Sequence, residues 1–207
     1  IYARLWDGIN AGVETKLNVT TIDKLEPNAF TPKATVTTNS IKVDGTTTDA
    51  TATSTNGSSG IKEYRFSKDG GKTYTNAQTS ATYTFSGLTQ NVEYTIVVEA
   101  KDNAGNTTTG TVAIKTKNTY TVSYNSNGGT GAPASQTKIQ GTNITLSTQI
   151  PTRDGYEFKG WGTSSNATTI AYNAGDTYSK DSDITLYAIW ELKTITFSNG
   201  IEKTIQM

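Results

Sequence analysis

The stretch RDGYEFKGWG, residues 153–162, sets three aromatic side chains among turn-forming and charged residues. Aromatic side chains bury the most area per residue, and a small domain of roughly 75 residues buries only about 60% of its unfolded surface. The three glycines of the stretch permit a β-bulge or the close approach of another strand. We therefore predict that Phe158 and Trp161 form the core of a small β domain and that Tyr156 is partly exposed.

The alternative interpretation of these aromatics is a surface that stacks on a sugar or a peptide. Tyrosine and tryptophan suit such a surface because each has an apolar ring and a polar group. The candidate ligand-binding residues are Tyr156, Trp161, Tyr172 and Tyr178.

The composition favours an all-β protein. The chain has 207 residues, room for one or two domains, and threonine makes up about a fifth of it, which suits the solvent faces of strands. Its 18 basic and 18 acidic residues balance. A nucleic-acid surface usually carries net basic charge, so we expect no nucleic-acid partner.

The absence of cysteine and histidine excludes several kinds of active site within this chain. Thiolate nucleophiles, imidazole bases, Ser-His-Asp triads and Cys/His zinc sites all need those residues. Two carboxylates flanking a cleft could still hydrolyse glycosides. The pairs Asp154 with Glu157 and Asp181 with Asp183 lie in turns or at strand edges, where aspartate usually bonds its own backbone. We predict no catalytic residue, no enzyme activity and no cofactor.

No apolar run is long enough to span a membrane. The chain opens on IYARLWDGINAG, which has the alternation of a strand and not the pattern of a signal peptide. We therefore expect the chain to be an excerpt of a longer protein, with targeting signals and anchors elsewhere.

The most regular alternation of the chain lies in LTQNVEYTIVVEAKDNAGN, residues 88–106. Apolar side chains occupy every second position, the pattern of a half-buried strand. Turn clusters at 55–60 and 68–72 separate further short strands. This spacing predicts a two-sheet sandwich over residues 34–118. The alternating residues are Val92, Tyr94, Ile96, Val98 and Ala100.

Residues 86–106, SGLTQNVEYTIVVEAKDNAGN, resemble the E–F corner and F strand of a fibronectin type III domain or of a related bacterial immunoglobulin-like domain. In that family a leucine at the position of Leu88 precedes a tyrosine at the position of Tyr94, and the tyrosine hydroxyl bonds back to the corner backbone. The early tryptophan of the family is absent here. The resemblance implies that its space is filled by Val36, Ile41 and Val43.

Four motifs of residues 119–192 occur in the order of the Listeria–Bacteroides repeat, which this segment resembles. The resemblance implies a small β-grasp-like fold and a place in internalin-type surface proteins. The stretch ITLYAIWEL, residues 184–192, is apolar on both faces, so we expect it inside a sheet. The motifs are YTVSYNSNGGTG (120–131), PTRDGYEFKGW (151–161), YNAGDTY (172–178) and DITLYAIW (183–190).

The ends of the chain read as partial modules. Residues 1–24 predict the C-terminal hairpin of a preceding immunoglobulin-like domain, and residues 25–33, with two prolines, predict a linker. Residues 193–207 show one strand-turn-strand pattern, either the start of a further module or a strand partner for another. Incomplete modules would allow self-association, because unpaired strand edges invite pairing.

The loop KDNAGN at 101–106 offers Asp102, Asn103 and Asn106 as oxygen ligands for calcium. Calcium takes six to eight oxygens, more than this loop supplies, so we interpret it as a hairpin turn and predict no metal site. An intramolecular Lys–Asn isopeptide bond is a further alternative, for which no spacing singles out a pair.

Together these patterns favour a non-catalytic segment of a bacterial extracellular surface protein, an adhesin stalk or spacer with weak contacts to a host-cell or glycan ligand. Two alternatives stay open. One is a decoration or subunit of a phage tail fibre or other filament, on a virion. The other is the accessory region of a secreted glycan-active enzyme that touches carbohydrate.

Overall fold

A computed structural model describes residues 2–6, 9, 11–16, 22–53, 56–196 and 202–204, with side chains for residues 9, 22–53 and 56–194. Strands, turns and irregular segments make up this described part, and it contains no helix. The protein is therefore mainly β, as predicted. The chain divides into two compact units, Ile1–Thr116 and Lys117–Met207.

Unit 1 holds eight strands in its described part. They are β1 (Tyr2–Trp6), β2 (Ala11–Lys16), β3 (Lys33–Val36), β4 (Ile41–Asp44), β5 (Ile61–Ser67), β6 (Thr82–Phe85), β7 (Glu93–Asp102) and β8 (Thr107–Lys115). Two antiparallel sheets of three strands have the orders β3-β4-β6 and β5-β7-β8. The strands β1 and β2 form a separate antiparallel pair within the stretch where a hairpin was predicted.

The two three-stranded sheets share one hydrophobic core. Ile41 and Val43 of β4 are fully buried, and so are Ile96, Val98 and Ala100 of β7. The two β4 residues occupy core positions, as the sequence predicted. The predicted period-two face is confirmed for Tyr94, Ile96, Val98 and Ala100, which lie in or against the core. Val92 precedes the strand and is exposed, which corrects its place on that face, and Val97 on the opposite face is also buried.

Tyr94 fastens the turn before β7. Its hydroxyl oxygen accepts a hydrogen bond of 3.1 Å from the backbone N–H of Thr89. Leu88, the residue before Thr89, is buried in the core. The bond from hydroxyl to backbone that the sequence predicted at this corner is therefore present.

Residues 25–32 do not behave as a free linker. The Thr108 hydroxyl donates a 2.6 Å hydrogen bond to the carbonyl of Pro27, and Pro27 and Pro32 are both buried. A Cβ added at Gly110 would lie 2.7 Å from the carbonyl oxygen of Phe30. The linker prediction is corrected: the segment is irregular, yet it lies against β8 and is held there by hydrogen bonds.

Unit 2 also holds eight strands in its described part. They are β9 (Thr119–Asn125), β10 (Gln136–Ile139), β11 (Ile144–Thr145), β12 (Tyr156–Gly162), β13 (Thr177–Tyr178), β14 (Ile184–Leu192), β15 (Thr194–Thr196) and β16 (Glu202–Thr204). The main sheet has the order β10-β9-β14-β12, in which β14 runs parallel to β9 and antiparallel to β12. The strand that is apolar on both faces, β14, thus lies inside a sheet, as predicted.

Two small two-stranded sheets complete unit 2. The strands β11 and β13 pair antiparallel, and so do β15 and β16. The turn that the C-terminal sequence predicted between the last two strands lies outside the described residues. The core contains Val122, Leu146, Trp161, Tyr178 and Leu186, each at most 1% exposed. It is rich in aromatics, in agreement with the scarcity of aliphatic residues in this part of the sequence.

Candidate functional site

The stretch 153–162 begins with a turn and continues as β12. The N–H of Tyr156 bonds the carbonyl of Arg153 at 3.1 Å, and Gly155 within the turn has a φ of 75°. The pairing of β12 with β14 shifts register between Phe158 and Gly160, so the strand carries a bulge. The bulge changes the direction of the side chains that follow it.

The inward side chains of β12 build the core. Trp161 is fully buried, and its ring meets those of Tyr124 and Phe158 edge to face with centroids 5.0 Å apart in both cases. Phe158 in turn contacts Trp190 with ring centroids 5.9 Å apart. The indole N–H of Trp161 has no hydrogen-bond partner among the described residues. These contacts confirm that Phe158 and Trp161 are packing residues.

The four predicted ligand-binding residues do not form one surface. Trp161 and Tyr178 are fully buried, and the Tyr178 hydroxyl bonds the carbonyl of Ser182 at 2.9 Å. Neither ring can meet a ligand from its position, so the expectation for these two is corrected. Tyr172 is half-buried with its ring edge to face against Tyr178, and Tyr156 borders two open pockets.

Two open pockets adjoin Tyr156. The first, which we call the aromatic pocket, has a volume of about 500 Å³ and is lined by residues 150–158, Trp190 and Lys193. The second, the glycine pocket, has a similar volume of about 500 Å³ and is lined by residues 128–130, 152–154 and Tyr156.

Arg153 lies between the two pockets. Its guanidinium carbon is 3.8 Å from the centre of the Tyr156 ring, so the two groups are in contact. In the described part of the chain this guanidinium has no hydrogen bond and no ion pair. The unpaired state of Arg153 could not be predicted from the sequence, because pairing depends on which carboxylates the fold brings near.

Three of the four carboxylates considered for catalysis have structural partners in unit 2, whereas Asp154 is exposed. Asp181 accepts hydrogen bonds from the buried ammonium of Lys138 and from the N–H of Gly141, and these donors lower the pKa of Asp181 below its ordinary value. Asp183 accepts a 2.7 Å bond from the N–H of Thr121. Glu157 lies 3.5 Å from the ammonium of Lys159.

A cluster of three carboxylates lies in unit 1. Asp23, Asp49 and Asp102 each offer a carboxylate oxygen within 4.8 Å of the others. Oxygen ligands of this kind suit a divalent cation, and these three residues could supply part of such a site. Their oxygens also accept hydrogen bonds from the backbone: Asp49 takes the N–H groups of Ser59 and Gly60 at 2.8 and 2.6 Å.

Of the loop residues considered as calcium ligands, only Asp102 joins this cluster. The Asn103 amide donates to the carbonyls of Ser59 and Gly60, and the Asn106 amide donates to the carbonyl of Leu25. These amides therefore hold loops together. Asp23 and Asp49 were not predicted, because no local spacing connects residues so far apart in sequence.

Comparison with known families bears on unit 2. Residues 120–189 match the Listeria-Bacteroides repeat domain. The match covers most of the segment in which the sequence showed this resemblance, and such repeats are found in bacterial surface proteins. No solved structure matches the chain significantly. The described residues include no helix with the length and apolar character needed to cross a membrane.

Proposed function

We propose that this chain is a non-catalytic, tandem-module segment of a bacterial extracellular surface protein, serving as a stalk or spacer with weak contacts of its own. The observation that carries the proposal is the match of residues 120–189 to a repeat of bacterial surface proteins. The absence of cysteine and histidine supports it, because the commonest nucleophiles and bases are missing.

The finer folds belong to the same proposal. Unit 1 is proposed as a fibronectin III or immunoglobulin-like sandwich, supported by its two antiparallel sheets around one core and by the bond between Tyr94 and Thr89. Unit 2 is proposed as a β-grasp-like module, supported by its mixed sheet with β14 at an interior position.

The experiment is antibody labelling of intact cells of the bacterium that encodes the chain. Antibodies are raised against the purified protein, and labelling is measured before and after protease treatment of the cell surface. Permeabilised cells show the total amount. We expect strong labelling of intact cells that protease removes.

Labelling that needs permeabilisation would refute the surface location. Recovery of the protein in phage particles instead would favour the virion alternative. Recovery in the culture medium together with a glycan-cleaving activity would favour the accessory region of a secreted enzyme.

A further inference from the structure

Arg153 presents a cation whose donors find no acceptor among the described residues. A guanidinium carries five N–H groups in a planar fork that matches a carboxylate bidentately. The guanidinium carbon lies 3.8 Å from the centre of the Tyr156 ring, and this contact uses no N–H donor. The described residues supply the Arg153 guanidinium with no acceptor. Its N–H groups can therefore donate to an acceptor on a ligand.

Arg65 in unit 1 also contacts a tyrosine ring, and its N–H groups have an acceptor within the protein. Its guanidinium carbon is 5.2 Å from the centre of the Tyr74 ring. Two of its nitrogens donate to one oxygen of Glu99, at 3.0 and 2.6 Å, and this raises the pKa of Arg65. An Arg–Tyr contact in this protein can therefore come with an internal carboxylate, and at Arg153 it does not.

The groups around Arg153 suit a polyhydroxylated ligand. The glycine pocket is lined by residues 128–130 and by the exposed Thr130 and Thr152, whose hydroxyl oxygens lie 3.3 Å apart. The N–H groups of Gly129 and Thr130 already bond the carbonyls of Ser126 and Thr152, so the two threonine hydroxyls are the groups that can exchange hydrogen bonds with sugar hydroxyls. The pocket has a volume of about 500 Å³ and is open to solvent.

The charges around the fork limit which anions fit. Asp154 is exposed and lines both pockets, and Glu157 and Lys193 line the aromatic pocket. With Arg153, two cations and two anions border the site, so a polyanion would meet repulsion as well as attraction. A ligand with one carboxylate and several hydroxyls avoids that conflict.

We propose that Arg153, held against Tyr156, binds the carboxylate of an acidic sugar of the uronic or sialic acid class, with the sugar hydroxyls in the glycine pocket. This binding goes beyond the surface role proposed above and does not depend on it. Cell labelling tests where the protein is, whereas a titration tests this pocket, so either can fail alone.

The test is a titration of the whole ¹⁵N-labelled chain, followed by amide chemical shifts, at low salt. The probes are methyl glucuronide, the methyl glycoside of N-acetylneuraminic acid, and methyl glucoside as the neutral counterpart. We expect saturable shifts with at least one acidic sugar, centred on residues 128–130 and 152–156, and none with the glucoside.

Variants connect the shifts to the proposed contact. Arg153→Gln should weaken binding at least tenfold, whereas Arg65→Gln, the matched control in unit 1, should leave it unchanged. Asp154→Asn should strengthen binding, because it removes a like charge from the site. Tyr156→Ala removes the ring under the guanidinium and should weaken binding, whereas Tyr156→Phe, which keeps the ring, should weaken it less. Unchanged amide dispersion in each variant shows that it is folded.

Several outcomes would overturn the proposal. The first is the absence of saturable shifts with both acidic sugars, and the second is wild-type binding by folded Arg153→Gln. A further probe, N-acetylglutamate amide, carries a carboxylate but no sugar ring. If it binds more tightly than either acidic sugar, Arg153 recognises carboxylates but the assignment to sugars is wrong. Equal binding of the glucoside would show that the carboxylate is not recognised.

Discussion

Replacing Trp161 is the sharpest perturbation of the aromatic core in unit 2. The side chain is fully buried, and a tryptophan buries about 150–250 Å². At about 25 cal/mol per Å² this area corresponds to about 4–6 kcal/mol, and deletions of tryptophan to alanine typically cost about 3–5 kcal/mol. We expect Trp161→Ala to lower the free energy of unfolding of unit 2 by about 3–5 kcal/mol.

Trp161→Phe should behave very differently. The phenyl ring keeps most of the contacts with Tyr124 and Phe158, and the smaller ring costs about 1–2 kcal/mol. The change also removes an indole N–H that has no partner in the described structure. An unsatisfied buried donor costs about 1–3 kcal/mol, so the two effects offset. We expect the Phe variant to lie within about 1 kcal/mol of the wild type.

The matched control is Trp190→Phe. The indole N–H of Trp190 donates to the carbonyls of Ser126 and Asn127 at 2.9 and 3.0 Å. Removing this N–H removes its hydrogen bonds to the two carbonyls. Trp190→Phe should therefore lower the free energy of unfolding by about 1–2 kcal/mol more than Trp161→Phe does.

Urea denaturation followed by tryptophan fluorescence measures these differences. The background carries Trp6→Phe, so that in each Phe variant the other tryptophan of unit 2 reports its unfolding. Trp161→Ala costing under about 1 kcal/mol would refute the core role. Equal costs for Trp161→Phe and Trp190→Phe would refute the argument from the unpaired N–H of Trp161.

Three further predictions concern other parts of the fold. Tyr94→Phe removes the acceptor of the Thr89 N–H and should destabilise unit 1 by about 0.5–1.5 kcal/mol in thermal unfolding; no change would mean that the corner bond is unimportant. Gly110→Ala overpacks the contact with residues 25–32 and should lower the free energy of unfolding of unit 1 by about 1–3 kcal/mol. An unchanged stability would mean that this segment is a linker after all. Because Lys138 lowers the pKa of Asp181 from 3.8, the stability from this pair is present above pH 4 and lost as pH falls through the lowered pKa. Lys138→Met should flatten that acid limb of the stability curve, and an unchanged limb would exclude the pair as its cause.

Local patterns predicted the strands well. Period-two alternation identified β7 and its buried face, and apolar residues on both faces of β14 predicted its interior position. Both signals depend on side-chain direction along one strand, which the sequence carries directly. The parallel pairing of β14 with β9 was not predicted, because register between distant strands depends on the packing of the whole unit.

The candidate site was only partly predictable. Tyr156 was correctly expected at the surface, but Trp161 and Tyr178 were included as ligand contacts although they are buried. The unused donors of Arg153 and the approach of Asp23 to Asp102 follow from three-dimensional neighbours. The buried Lys138 is a similar case, since a lysine in a strand is expected to point to solvent unless the fold supplies a carboxylate.

Whether Trp161 lies in the core or at the surface decides what the stretch 153–162 does. The most direct measurement is hydrogen exchange of its indole N–H in D₂O by NMR, assigned with Trp161→Phe. Burial predicts a resonance that persists as long as those of the protected amides of β14. Loss of the signal at the first time point, with the β14 amides still protected, would contradict the core role and favour a recognition surface.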